Sequence, residues 1–157
     1  MTDGSVAVVA PLAGTVVGLA GVPDPVFSAE LVGSGTAVEP PDAPGPVPVV
    51  APVAGNLMKV HPHAFVVLTP GGVGVLVHLG IDTVHLRGEG FTVHRAEGED
   101  VEAGTPVVTF SPAQVRGRGL SAVCPVVVLD SPPGAVPAGP VRTVAAGDAL
   151  FSWPAAR

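Results

Sequence analysis

The chain has 157 residues, 47% of them apolar, with 21 glycines, 19 prolines and a formal charge of −6. That length bounds one domain, residues 1–157 with a core over about 8–153, and an apolar content this high excludes intrinsic disorder. Net acidity with Lys59 as the only lysine excludes a nucleic-acid surface, because nothing clusters to neutralise phosphates, and suits a basic protein partner instead.

From Val6 to Pro23 no residue is charged. The stretch fails as a signal or membrane segment, since Asp3 precedes it in place of a basic residue, and Pro11, Gly14, Gly18 and Gly21 would interrupt a helix. No membrane insertion is expected, and the single cysteine fits the cytoplasm. The prolines and glycines space short valine-rich runs, which predicts about ten to thirteen strands in an all-β antiparallel sandwich. Val8-Val9-Ala10-Pro11-Leu12-Ala13-Gly14 returns as Val49-Val50-Ala51-Pro52-Val53-Ala54-Gly55, and the turn at Val101–Val107 returns at Val144–Leu150. These echoes predict a sandwich of two similar halves, an internal pseudo-repeat. Residues 39–48 hold five prolines and form an exposed loop.

Next in the chain, His61-Pro62-His63-Ala64-Phe65-Val66-Val67-Leu68 runs into Thr69-Pro70-Gly71-Gly72, a turn, and then into Val75-Leu76-Val77-His78-Leu79-Gly80-Ile81-Asp82. A four-residue loop across Thr69 to Gly72 sets Leu68 opposite Val73 and His63 opposite His78, bringing two imidazoles together on one face. A bulge at Gly72 or Gly74 would move that register by one. Two facing histidines can hold an anion or a zinc ion between them, and His61 and Asp82 are the nearest further ligands. A structural zinc takes four ligands and a catalytic one three, so no native metal is expected. Farther on, Ser111 caps one helical turn that Gly117 ends. Cys124-Pro125 begins a buried strand with an inert thiol, and Ser131–Pro140 is a second proline-rich connection.

The His78 run extended through Thr83-Val84, together with Ala10–Gly14, Val22–Phe27, Gly33–Ala37, Ala51–Gly55, His63–Phe65 and Gly88–Phe91, resembles the glucose-family IIA domain of the bacterial phosphoenolpyruvate-dependent sugar phosphotransferase system. The resemblance covers about Ala10 to Phe151. It implies a phosphocarrier without a cofactor, in which His78 accepts a phosphoryl group on Nε2 from phospho-HPr and passes it to the IIB domain of a sugar permease. His63 is then the partner imidazole, and the carbonyl of Gly80 fixes the His78 tautomer. Val26, Phe27 and Phe65 exclude water or meet the partner, while Asp24 and Asp82 stand where an arginine of HPr approaches. The unphosphorylated form of such proteins also has regulatory targets. One departure is His61, which occupies the place where relatives carry a threonine that orients the first site histidine.

Two rivals share features of the sequence. A zinc peptidase of the lysostaphin type also combines a β-sandwich with His-x-His and His-x-x-x-Asp motifs, here His61-Pro62-His63 and His78 to Asp82, though in the opposite order. A biotin or lipoyl carrier is suggested by Met58-Lys59 between Ala-Gly turns, but such carriers are about half this length. No phosphocysteine motif surrounds Cys124 and no permease follows, so a stand-alone IIA chain is expected.

Overall fold

The computed structural model describes residues 5–153, so the ends of the domain expected over 1–157 lie outside the described residues. From the N-terminal side the strands are β1 (Val6–Val9), β2 (Gly14–Val17), β3 (Gly33–Glu39), β4 (Val47–Val50), β5 (Gly55–His61), β6 (Ala64–Leu68) and β7 (Gly74–His78). They continue as β8 (Phe91–Val93), β9 (Asp100–Val101), β10 (Pro106–Phe110), β11 (Cys124–Leu129), β12 (Arg142–Val144) and β13 (Ala149–Trp153). Among the described residues helix is confined to α1 (Pro25–Ser28), α2 (Pro112–Gly117) and 3-10 turns at Leu19–Gly21 and Thr83–Leu86. Ser111 caps α2 as its sequence predicts, its Oγ accepting the Gln114 N–H at 3.1 Å.

All pairing is antiparallel, and the chain is the all-β sandwich that its patterning indicates. An eight-stranded sheet, in the order β12-β2-β3-β11-β7-β6-β5-β9, curls over a three-stranded sheet β4-β10-β8 and the β1-β13 pair. The core between them is built from alternate residues, among them Phe65 and Val67 of β6, Val75 and Val77 of β7, Phe110 of β10 and Val126 of β11. Val75 and Val77 have no exposed surface. At about 2 kcal/mol for each buried valine, a one-residue slip of β7 would expose both and drive His78 into the apolar core. The register of the site strand is therefore fixed by its neighbours. A second apolar cluster, with Leu19, Val22, Phe27, Ile81, Val123 and Val127, covers the outer face of the large sheet and brings α1 to the end of β7.

The repeats seen in the sequence are related by a pseudo-twofold axis between β7 and β11. The sheet order is palindromic once β12 is matched with β9, β2 with β5, β3 with β6 and β11 with β7. The two Ala-Pro turns interlock by reciprocal bonds, the Val9 N–H donating to the Pro52 carbonyl at 2.9 Å and the Val50 N–H to the Pro11 carbonyl at 2.8 Å. Ala10 and Ala51 continue the match, accepting from Gly147 and Gly104 at 2.8 and 2.9 Å. Each half thus closes the backbone of the other, and β8 beside β10 is the strand without a mate.

Two details differ from the sequence reading. The β6–β7 connection is one residue longer than a four-residue loop: Leu68 pairs with Gly74 and Ala64 with His78. Thr69 closes it, its N–H donating to the Val73 carbonyl at 2.8 Å while its Oγ1 accepts the Val73 N–H at 3.1 Å. His63 therefore leaves the strand and enters a tight Pro62-His63 turn between β5 and β6. The proline-rich loop is also shorter than 39–48, because Glu39 ends β3 and Pro48 lies in β4, an edge strand of its sheet. An edge position leaves a residue without an N–H tolerable.

Candidate functional site

β7 delivers His78 to the outer face of the large sheet, and the next four residues hold it there. Leu79 and Ile81 are buried, the Leu79 N–H donating to the His63 carbonyl at 2.7 Å and the Ile81 N–H to the Ser121 carbonyl at 2.9 Å. Between these anchors Gly80 takes φ +79°, which turns its carbonyl back toward His78. The carbonyl oxygen stands 2.6 Å from His78 Nδ1. A carbonyl can only accept, so Nδ1 carries the proton and Nε2 is the nitrogen with a free lone pair. Burial lowers the His78 pKa below its ordinary value, opposed by the Gly80 bond and by the charges of Asp24 and Asp82. At neutral pH the ring is an uncharged nucleophile.

The shifted register does not separate the two rings. His63 reaches over Ala64, the small residue paired with His78, and the His63 and His78 ring centroids are 5.4 Å apart, edge to face. His61 pairs with Ala64 from the other side, and its ring stacks on His63 at 5.6 Å with 26° between planes. Burial first, then the like charges of His78 and His61, lower the His63 pKa from 6.5 to about 4.

Asp24 and the residues after it cover the site from above. The Asp24 Oδ1 accepts the Val26 N–H at 2.8 Å, capping α1 with Pro25 at its first position. This short helix lays Phe27 against His78, centroids 5.2 Å apart, with 6% of Phe27 exposed. Val26 is 40% exposed beside it. Asp82 is held at φ +61° at the start of the 3-10 turn and makes no side-chain cap bond, which leaves its carboxylate open to solvent and to a partner. Phe65 is the displaced member of the expected set. It is fully buried in the main core opposite Val77, on the inner face, with no surface to offer a partner. Its size and β-strand alternation place it inside as firmly as Val67.

Sequence reasoning missed the helix that Asp24 caps, and the parts played by Ala64 and Thr83. The Asp24-Pro25 pair is a helix-start signal that could have located α1. Ala64 is visible only once the register is known, as the small floor under His63. Thr83, 1% exposed, donates its hydroxyl to the Leu79 carbonyl at 2.7 Å and steadies the turn that aims Gly80; only the folded loop shows this.

The rivals find no support in this geometry. Among the described residues no group of three or more His, Cys, Asp or Glu side chains is arranged to hold a metal ion. Lys59 sits within β5 opposite Val66, where a tethered biotinyl or lipoyl arm would have no hairpin tip to swing from. Cys124 is buried and its thiol is pushed up to about 12 by burial, which makes it inert.

A neutral nucleophilic imidazole with its tautomer fixed, a second imidazole beside it, apolar cover and open carboxylates at the rim form a site for receiving and handing on an anionic group. Such an arrangement suits a carrier, set on a rigid antiparallel sandwich. Residues 6–132 match the EIIA 1 family of the phosphoenolpyruvate-dependent sugar phosphotransferase system, and the chain belongs to that family. It is 46% identical over 121 residues to the glucose-specific EIIA component of Halalkalibacterium halodurans, covering 76% of this chain and 68% of the relative. With the glucose-specific EIIA component of Oceanobacillus iheyensis it shares 36% identity over 125 residues, 78% of this chain and 73% of the relative. The glucose permease IIA of Mycoplasma capricolum superposes with a TM-score of 0.85 at 31% identity, covering 96% of each chain. The protein is thus a phosphotransferase relay component that moves a phosphoryl group by way of a histidine.

Proposed function

We propose that His78 is the phosphoryl acceptor, that phospho-HPr is the donor and that the IIB domain of a sugar permease receives the group. The observation that carries this reading is the 2.6 Å contact of His78 Nδ1 with the Gly80 carbonyl, with His63 5.4 Å away on the other side of the ring. The Nε2 lone pair attacks phosphorus, the new P–N bond forms as the donor's P–N bond breaks, and Nδ1 keeps its proton. A nearby phosphoryl dianion favours protonation of His63, which then donates a hydrogen bond to an equatorial oxygen. Phe27 and Ile81 keep water from the labile bond. Val26, Asp24 and Asp82 supply an apolar and acidic rim for a partner that presents an arginine. Alignment and charge suffice for this chemistry, so no metal ion is needed. Among the described residues no helix is long and apolar enough to cross a membrane, and a cytoplasmic chain that meets the permease from the inner side fits both partners.

The test is incubation with phosphoenolpyruvate, enzyme I and HPr, followed by measurement of acid-labile, base-stable label. His78→Ala is expected to take none, whereas His63→Ala takes label and passes it to IIB on the order of 100-fold more slowly, the usual cost of one lost transition-state donor. Normal labelling of folded His78→Ala protein would overturn the assignment.

A further inference from the structure

The outer face of the large sheet carries a row that runs across three strands: His61 on β5, Ala64 on β6 and His78 on β7, each paired with the next. Adjacent strands lie about 4.8 Å apart, so the two outer residues of such a row flank a gap roughly 10 Å wide. Ala64 fills the middle with a methyl group, and the His63 ring folds into the space above it. One face of His63 rests on His61 and an edge meets His78. Among the described residues no protein group hydrogen-bonds either nitrogen of His63. A ring held by no hydrogen bond is held by what it packs against, and on the side away from His78 that is His61.

We propose that His61 is a positioning residue for phosphoryl transfer: its stacked ring takes the place of a hydrogen bond in aiming His63 at the phosphoryl group. The inference rests on the relay reading and adds to it a residue that touches neither nucleophile nor phosphate.

Ring and charge separate by substitution. His61→Ala removes both the ring and its charge, leaving His63 free to rotate away from Ala64. His61→Phe keeps a ring of similar reach and removes the charge. Like charge from His61 is one of the three causes that lower His63. A unit charge 5.6 Å away acting through water is worth about half a pH unit. The other charged group acting on this ring is His78, on which Asp24 and Asp82 act in turn. None of these changes in either variant. His61 is exposed, so neither substitution threatens the fold.

Two measurements on the full chain decide the matter. Imidazole NMR titration of the unphosphorylated protein is expected to show His63 gaining its proton about half a unit higher in His61→Phe than in the natural protein. Donation from phosphorylated protein to IIB is expected to fall in kcat by about three- to ten-fold in His61→Ala, the worth of an aromatic contact, with KM for IIB unchanged. His61→Phe should restore most of that loss. Donation by His61→Ala at the natural rate, or an unmoved His63 titration in His61→Phe, overturns the inference. Failure of the natural protein to take label would instead overturn the relay reading, and the NMR titration would still report whether His61 lies beside His63.

Discussion

Replacing Gly80 with alanine separates backbone strain from crowding at the point that orients His78. Gly80 has φ +79°, and a Cβ built there would stand 2.7 Å from Thr83 Cγ2 and 3.0 Å from the Ser121 carbonyl oxygen. Left-handed backbone costs an alanine about 1–2 kcal/mol, and overpacking against a buried threonine and a fixed carbonyl adds about 1–3 kcal/mol. Gly72 is the control. It has φ +90° with nothing within 4 Å of its added Cβ, so Gly72→Ala bears the strain alone, about 1 kcal/mol. Urea denaturation of the two variants should therefore give losses of about 3 and about 1 kcal/mol with unchanged m-values. The 2.6 Å bond from His78 Nδ1 is worth about 1 kcal/mol. Shifting its carbonyl lowers the reactive tautomer, so labelling from phospho-HPr should slow about five-fold in Gly80→Ala and stay at the natural rate in Gly72→Ala. Equal destabilisation of the two variants, with equal labelling rates, would refute both the crowding and the tautomer argument.

Three further outcomes follow from the same geometry. Asp24→Asn keeps an acceptor for the Val26 N–H but removes a charge that raises His78, so the ring should titrate lower by NMR with little change in melting temperature; Asp24→Ala should also lose about 1 kcal/mol of stability with the cap. Phe27→Ala removes a nearly buried ring from the cover over His78, and it should cost about 3 kcal/mol in denaturant and shorten the half-life of the label in neutral buffer. Both site histidines bind protons less readily folded than unfolded, so stability is full above pH 6.5 and falls as the pH drops toward the His63 value of about 4. For half-exposed His63 the loss is about 1 kcal/mol after solvent screening, and His63→Gln should flatten the urea midpoint over that window.

The fold class was legible because it rests on short-range patterns, and the same patterns single out His78 as a candidate. Alternating valines around a lone imidazole, then a glycine and a carboxylate, specify both the buried face of β7 and the turn that follows it. The duplication was legible because the same Ala-Pro turn does the same closing job twice. What failed was counting across a loop. Thr69 and Val73 bond each other and add one residue to the turn, and sequence alone cannot tell a four-residue reversal from a five-residue one. That single residue moved His63 out of β6, put Ala64 opposite His78 and left Phe65 facing inward. The juxtaposition of imidazoles survived because a turn residue can lean over a small neighbour, which is a matter of packing and not of register. The roof formed by α1 was hidden for a similar reason, since four helical residues give too little periodicity to stand out against their prolines.

The pseudo-twofold axis has a bearing on stoichiometry. It carries β7 onto β11 and β6 onto β3, with Leu68 against Gly55 answering Glu39 against Gly14, so the place corresponding to His78 opposite Ala64 is Val127 opposite Gly35. A doubled scaffold thus offers two corresponding seats and furnishes one with an ionisable ring, while the other, buried with Leu19, Val22 and Val123, is greasy and cannot form a P–N bond. The fully loaded chain should accordingly gain the mass of a single phosphoryl group, however long it is left with its donor.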